Sequence, residues 1–203
     1  MRIIDISKEV LSCEVFPGDP KPSLDMVNTI ENGSEYNLSK IQMCVHNGTH
    51  LDAPLHFLSG RENVCEISPE VFIGPCVVVE VPEGMITGAF VDEYFPRNAK
   101  RILIKSHGKS VLHESAASEL AFMGYSLVGT DGMTVEPEGT GGRTHKMFFV
   151  NNVVLLENLD LEKVEPGEYF LMAAPIKIDG AEASPVRAML VADYIFWSGE
   201  SKK

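Results

Sequence analysis

Three of the chain's six histidines fall inside one eleven-residue run, His46-Asn47-Gly48-Thr49-His50-Leu51-Asp52-Ala53-Pro54-Leu55-His56, with an aspartate between them. Two imidazoles and a carboxylate, leaving a position open for water, are the donor set of a catalytic rather than a structural metal site. His46, His50 and Asp52 are therefore the candidate ligands. Zn²⁺ is the first choice of ion, and Mn²⁺ takes the same donors. His56 is left over, and an imidazole beside such a centre is suited to general acid–base work near neutral pH. Any one of these histidines alone would read as a satisfied polar loop residue; three of them around an aspartate do not.

Spacing limits the local structure. An extended chain rising ~3.3 Å per residue would hold positions 46 and 52 roughly 20 Å apart. A straight helix would point His50 and Asp52 to different faces. The segment must curl, and Asn47-Gly48 is the pair that tolerates the positive φ a curl needs, while Pro54 prevents a strand from continuing. The expectation is a strand ending at His46, a turn, and a loop carrying His50, Asp52 and His56.

The string H-N-G-T-H-L-D-A-P-L-H-F resembles the signature H-x-[GA]-[TA]-H-x-D-x-P-x-H of the metal-dependent cyclase-like hydrolases, whose best-known members are the bacterial kynurenine formamidases (arylformamidases). Every fixed position matches. The resemblance implies a second ion bridged by Asp52 and held by a distant His and by a Glu twelve residues further on, here His145 and Glu157 in Glu157-Asn158-Leu159. Without it, Glu157 would read as a surface carboxylate at a strand end. It implies one or two Zn²⁺ per chain and an α/β, mainly β, single-domain swivelling β/β/α (cyclase-like) fold. It also implies a homodimer or homotetramer acting on a small molecule.

Softer matches run along the chain. Phe16-Pro17-Gly18-Asp19 is similar to the family's W-P-G-D loop, which places Phe16 against the substrate. Leu127 to Asp131 and Ser184 to Ala188 resemble its l-v-G-i-D and s-P-v-R-a segments. Phe16 replaces the usual Trp, and Gly132-Met133-Thr134-Val135-Glu136 stands where a T-P-S-V-D run is typical. The implied reaction is hydrolysis of an amide-type bond, with N-formylkynurenine the leading substrate. A cyclic amide or lactone such as isatin is the alternative, and a non-catalytic metal-binding scaffold a third reading that leaves His56 without a purpose.

The elements that must position these groups read mostly as strands: Ile3 to Ser7, Ile41 to His46, Pro75 to Val81, Arg101 to Lys105, Ser126 to Thr130, Asn152 to Glu157, Glu168 to Ala173 and Met189 to Tyr194. The clearest helix is Glu114 to Met123, stopped by Gly124. A short one starts near Ser68-Pro69-Glu70. Glu138 to Thr144 lacks the G-K-[ST] ending of a phosphate cradle and reads as a mobile loop beside a site. No repeat or boundary divides residues 1–203, so one domain is expected. His107 and His113 match nothing and read as surface or cap residues.

Composition narrows the function classes. The 203 residues carry 17 Lys+Arg against 29 Asp+Glu, a formal charge of −12 that repels phosphate backbones and anionic lipid, so neither nucleic acid nor a membrane is an expected partner. The longest apolar stretches are far short of the ~20 residues that cross a bilayer. Cys13, Cys44, Cys65 and Cys76 are widely spaced and read as free buried thiols. Met1 to Glu9 has no apolar leader, which together with free thiols reads as cytoplasmic.

Overall fold

The computed structural model describes residues 1–97 and 99–193. Among the described residues thirteen strands and three α-helices follow one another: β1 (Arg2–Asp5), β2 (Ser23–Asn28), β3 (Leu38–Gln42), β4 (His50–Asp52), β5 (Ile73–Glu80), β6 (Gly84–Ile86), α1 (Gly88–Tyr94), β7 (Arg101–Lys105), β8 (Ser110–Leu112), α2 (Glu114–Phe122), β9 (Leu127–Thr130), α3 (Arg143–Val150), β10 (Val154–Glu157), β11 (Gly167–Met172), β12 (Ala183–Pro185) and β13 (Met189–Ala192). Nine strands form one mixed sheet in the order β1-β13-β11-β5-β7-β9-β10-β4-β12. This is the mainly β α/β architecture that the resemblance implies.

Its centre is parallel. β5, β7, β9 and β10 pair in chain order, and α1, α2 and α3 lie in the three crossovers. Right-handed crossovers that always step to the same side put every helix on one face of the sheet. The side chains obey this: Ile102, Ile104, Val128 and Leu155 point into a core with Val91, Ala116, Ala117, Leu120, Phe148 and Phe149 from the helices. Their strand neighbours Leu103, Leu127, Val154 and Leu156 point the other way, into a second core with Ile6, Val78, Leu171 and Leu190.

The second core needs no helices because the sheet curls around it. Ser7, just past β1, bridges Leu159, just past β10, and the Asp160 N–H donates to the Ile6 carbonyl at 2.9 Å. Strands distant in the sheet order thus close over one apolar interior. β2 and β3 stand apart as an exposed two-stranded arm bearing Leu24, Met26, Val27, Leu38 and Ile41 on its surface.

Several sequence expectations need correction. The strand placed over Ile41 to His46 ends at Gln42, because the Cys44 N–H donates to Asn47 Oδ1 at 2.8 Å and the Asn47 N–H to the Cys44 carbonyl at 3.1 Å, closing a turn instead of a ladder. His50 to Asp52, placed in a loop, is strand β4, held between β10 and β12. The helix near Ser68 is a single 3-10 turn, Pro69–Val71, with no side-chain cap bond from Ser68. Only Cys76 is buried; Cys13, Cys44 and Cys65 are half-buried, and all four are free. Tyr194, the last residue of the final expected strand, lies outside the described residues. The sequence reading assigned neither α1 nor α3.

Candidate metal centre

β4 solves the spacing problem differently from the expected loop. Residues i and i+2 of a strand share a face, so His50 and Asp52 point together while Leu51 enters the second core. Only His46 has to be brought back, and residues 43–49 do this. Gly48 sits at φ +69°, and a Cβ there would meet Val10 Cγ1 at 2.9 Å, so both the conformation and the room require glycine. The turn is pinned from outside: the Thr49 hydroxyl donates to the Asn158 carbonyl at 2.7 Å, the Asn158 amide donates to the Gly48 carbonyl at 3.2 Å, and Lys8 Nζ donates to Asn158 Oδ1 at 2.7 Å.

The antiparallel register of β10 and β4 sets Glu157 opposite His50, on the same face. His145 arrives from the first turn of α3, which lies over that face. The site therefore sits at the edge of the helix-covered side of the sheet, where the apolar core gives way to polar groups.

The donor atoms fall into two groups sharing Asp52: His46, His50 and Asp52, and Asp52, His145 and Glu157, each with its donor atoms within 4.8 Å of one another. Asp52 Oδ1 is 3.0 Å from His46 Nδ1 and 3.4 Å from His50 Nε2; Asp52 Oδ2 is 3.8 Å from His145 Nε2, which lies 3.4 Å from Glu157 Oε1. Donors ~2.0–2.2 Å from one tetrahedral ion stand roughly 3.3–3.6 Å apart. Asp52 is 1% exposed, yet neither of its oxygens, nor Nε2 of His46, has a hydrogen-bond partner. Leaving a buried carboxylate unsatisfied is costly, and a divalent cation removes that cost. The residues fit the group.

Charge behaves accordingly. Burial alone would raise Asp52, but His50, His46 and His56 hold its carboxyl far below the usual carboxylate range. Burial opposes a charged His145, yet Glu136, Glu157 and Asp52 push it up to about 10. His46 is also raised, against its burial, by Asp52, Glu182 and Glu157. Without an ion, these carboxylates hold positive charge on His46 and His145.

His56 differs. It closes the 3-10 turn Pro54–His56, stands 4.3 Å ring to ring from His46 and 6.0 Å from His145, and belongs to neither donor group. Burial and the adjacent His46 and His145 lower its pKa against the pull of Asp52, which favours a neutral imidazole at pH 7. The groups line a cavity of about 660 Å³, within the range of small-molecule sites. Phe16 stands at its edge, 49% exposed, and Phe57 forms an inner wall.

The sequence reading missed three contributors. Glu136 appeared only as a departure from a motif, but it accepts from His145 Nδ1 at 2.9 Å. Glu182 reaches within 3.5 Å of His46 Nε2. Phe57 packs its ring 4.7 Å from that of His145. Phe57 at least adjoins His56 in sequence, whereas no local pattern pairs Glu136 with His145 or Glu182 with His46. Of Glu138 to Thr144, expected as a loop beside a site, Glu138 to Gly141 line the cavity, whereas Arg143 and Thr144 open helix α3. His107 is exposed, and His113 caps α2 by accepting from the Ser115 N–H at 3.1 Å.

A family model described as putative cyclase matches residues 4–137, about two thirds of the chain. The chain belongs to the putative cyclase family. It is 33% identical to the kynurenine formamidase of Delftia acidovorans over 207 residues, covering 94% of this chain and 98% of the relative. It is 34% identical over 206 residues to that of Sphingopyxis alaskensis, covering 93% and 97%. Among solved structures, a predicted metal-dependent hydrolase from Bacillus stearothermophilus superposes with TM-score 0.81 at 28% identity, covering 93% of this chain and 97% of that one. Isatin hydrolase A from Labrenzia aggregata has the same fold, with TM-score 0.78 at 21% identity and coverage of 94% and 93%. Membership, with hydrolases among both kinds of relative, makes the chain an enzyme of this metal-dependent hydrolase family.

Proposed function

We propose that this enzyme hydrolyses an aryl formamide, with N-formylkynurenine plus water giving kynurenine plus formate as the model reaction. The observation that carries the reading is Asp52: a buried carboxylate with both oxygens unsatisfied, shared by two donor groups on the floor of a ligand-sized cavity. The roles are His46, His50 and Asp52 at one cation position, and Asp52, His145 and Glu157 at a second. The cation is Zn²⁺, with Mn²⁺ compatible with the same donors. A divalent ion supplies Lewis-acid polarisation of the scissile carbonyl and brings the pKa of water toward ~7.

The chain's own groups do the rest. His50 Nδ1 lies 3.0 Å from the Gly48 carbonyl; donation there fixes the tautomer and leaves Nε2 free to face the site. His56, held neutral, takes a proton from the attacking water and delivers it to the leaving nitrogen as the formyl C–N bond breaks and the C–O bond forms. Phe57 keeps water from the imidazole it packs against, and Phe16 offers its ring to the aryl group of the substrate.

A second reading, opening of a cyclic amide or lactone such as isatin, is favoured by two substitutions at the pocket: Phe16 in place of a Trp, and Gly132 to Glu136 in place of a T-P-S-V-D run. The same metal and proton chemistry serves it. A scaffold without catalysis leaves both His56 and the cavity unexplained.

The exposed apolar arm of β2 and β3 is the surface we assign to self-association as a homodimer or homotetramer, which light scattering coupled to size exclusion would test. Among the described residues no helix is long and apolar enough to cross a membrane. We assign the enzyme to the cytoplasm, a reducing compartment that suits four free cysteines.

The deciding experiment combines metal analysis of protein purified without chelator with turnover of aryl formamides, isatin and lactones. Cleavage of aryl formamides with bound divalent metal is the expected result. Opening only cyclic substrates selects the second reading, and no turnover across the panel leaves the scaffold.

A further inference from the structure

We propose that Glu136 is a positioning residue that fixes the tautomer and aim of His145 and thereby sets the affinity of the second cation position. The proposal rests on the two-position reading above. Glu136 Oε2 lies 2.9 Å from His145 Nδ1 and accepts from the backbone N–H of Thr144 and of His145, each at 3.1 Å. Its other oxygen accepts from the Thr140 hydroxyl. With Nδ1–H committed to Glu136, the neutral ring that a cation requires has its lone pair on Nε2, which lies 3.8 Å from Asp52 Oδ2 and 3.4 Å from Glu157 Oε1. A carboxylate on the far nitrogen of a ligating imidazole makes the near nitrogen a better donor and holds the ring in plane.

The same carboxylate anchors the helix that carries His145. α3 begins after Gly142, which has no side chain with which to cap it. Glu136 accepts the N–H groups of the second and third helical residues in its place. Gly142 in turn makes room for the opposite wall, since a Cβ there would stand 2.2 Å from Phe57 Cε1, and Phe57 packs against the imidazole. His145 is thus held by an anion on its Nδ1 edge and a ring against its face. His50 in the first position has only a neutral carbonyl partner on Nδ1. The first position's other imidazole, His46, has the Glu182 carboxylate 3.5 Å from Nε2, so each position has its own outer carboxylate and Glu136 acts on the second alone.

The test is a titration of the metal-free full chain with Zn²⁺ by calorimetry and with Co²⁺ by visible absorption, for the wild type and Glu136→Gln. Glutamine keeps the length and an acceptor oxygen for the Thr144 and His145 N–H groups but removes the charge. The expected result is a second-ion affinity weakened about 10–100-fold, an altered Co²⁺ spectrum for the second equivalent, and a first-ion affinity unchanged within about two-fold. Equal second-ion affinity in the two proteins overturns the proposal. So does equal weakening of both positions with a lowered melting temperature, which would show a purely structural cap. A folded wild type that takes up only one ion overturns the two-position reading itself, and this proposal with it.

Discussion

Glu157 lies directly opposite His50 in the antiparallel ladder between β10 and β4, so two groups 107 positions apart in sequence are joined by strand register rather than by a loop. Glu157 is held there by a 2.8 Å hydrogen bond from the Val135 N–H. A one-residue slip of β4 against β10 would put His50 and Glu157 on opposite faces of the sheet and break the site.

The two donor groups should therefore fail separately. His50→Ala is expected to remove the first ion and leave the second bound more weakly, while Glu157→Gln removes the second and spares the first. Stoichiometry by elemental analysis after dialysis, alongside circular dichroism to confirm folding, reads this directly. Retention of two ions in either variant would refute the assignment of that residue.

Proton transfer should separate from metal binding at His56. His56→Ala is expected to keep its full metal content and lose about 10²–10⁴-fold in kcat, the usual worth of a positioned acid–base group. Because burial and the neighbouring His46 and His145 lower the pKa of His56, its neutral, base-competent form should persist to pH values below the ordinary imidazole midpoint. Near wild-type turnover in the metal-loaded variant would remove His56 from the mechanism.

Substrate preference should follow the cavity lining. Phe16→Ala is expected to raise KM more than it lowers kcat, and to reduce the preference for aryl over aliphatic formamides by about ten-fold at most, since an aromatic pair contributes roughly 0.5–1.5 kcal/mol beyond area burial. Glu14, Asp19 and Glu138 also line the cavity, and among its described lining residues there is no Lys or Arg. The ammonium of an amino-acid substrate meets favourable charge there, so Glu138→Lys should raise KM for N-formylkynurenine a few-fold, with the effect shrinking at high salt. Unchanged KM at low ionic strength would show that the amino-acid end binds elsewhere.

Thiol reactivity should report burial. Burial pushes the Cys76 thiol up to about 12 despite the nearby Arg101. A thiol whose folded pKa exceeds its unfolded value contributes stability below the unfolded pKa, about 8.5, and that contribution is lost as pH rises toward 12. At pH 8 a thiol reagent should therefore titrate Cys13, Cys44 and Cys65 in the native protein and reach Cys76 only on unfolding. Rapid labelling of all four without denaturant would contradict the core assignment.

The sequence by itself determined the chemistry of the first donor group. His46, His50, Asp52 and His56 lie so close along the chain that residue type and one Asn-Gly turn bring them together, and the central strands were legible because branched apolar runs bury on both faces of a covered sheet. It did not determine that β4 is a strand, since three residues are too few for a periodic signal and the ladder that holds them comes from β10 and β12. Nor did local pattern reveal α3, whose start is capped by Glu136 from outside the helix. His145 and Glu157 entered only through resemblance to a family, Glu136 only as a departure from a motif, and no role was assigned to Glu182 or Phe57. Contacts between groups distant in sequence are fixed by crossover handedness, sheet curl and register, which are properties of the packed whole, so only the tertiary structure could decide which carboxylates face which imidazoles.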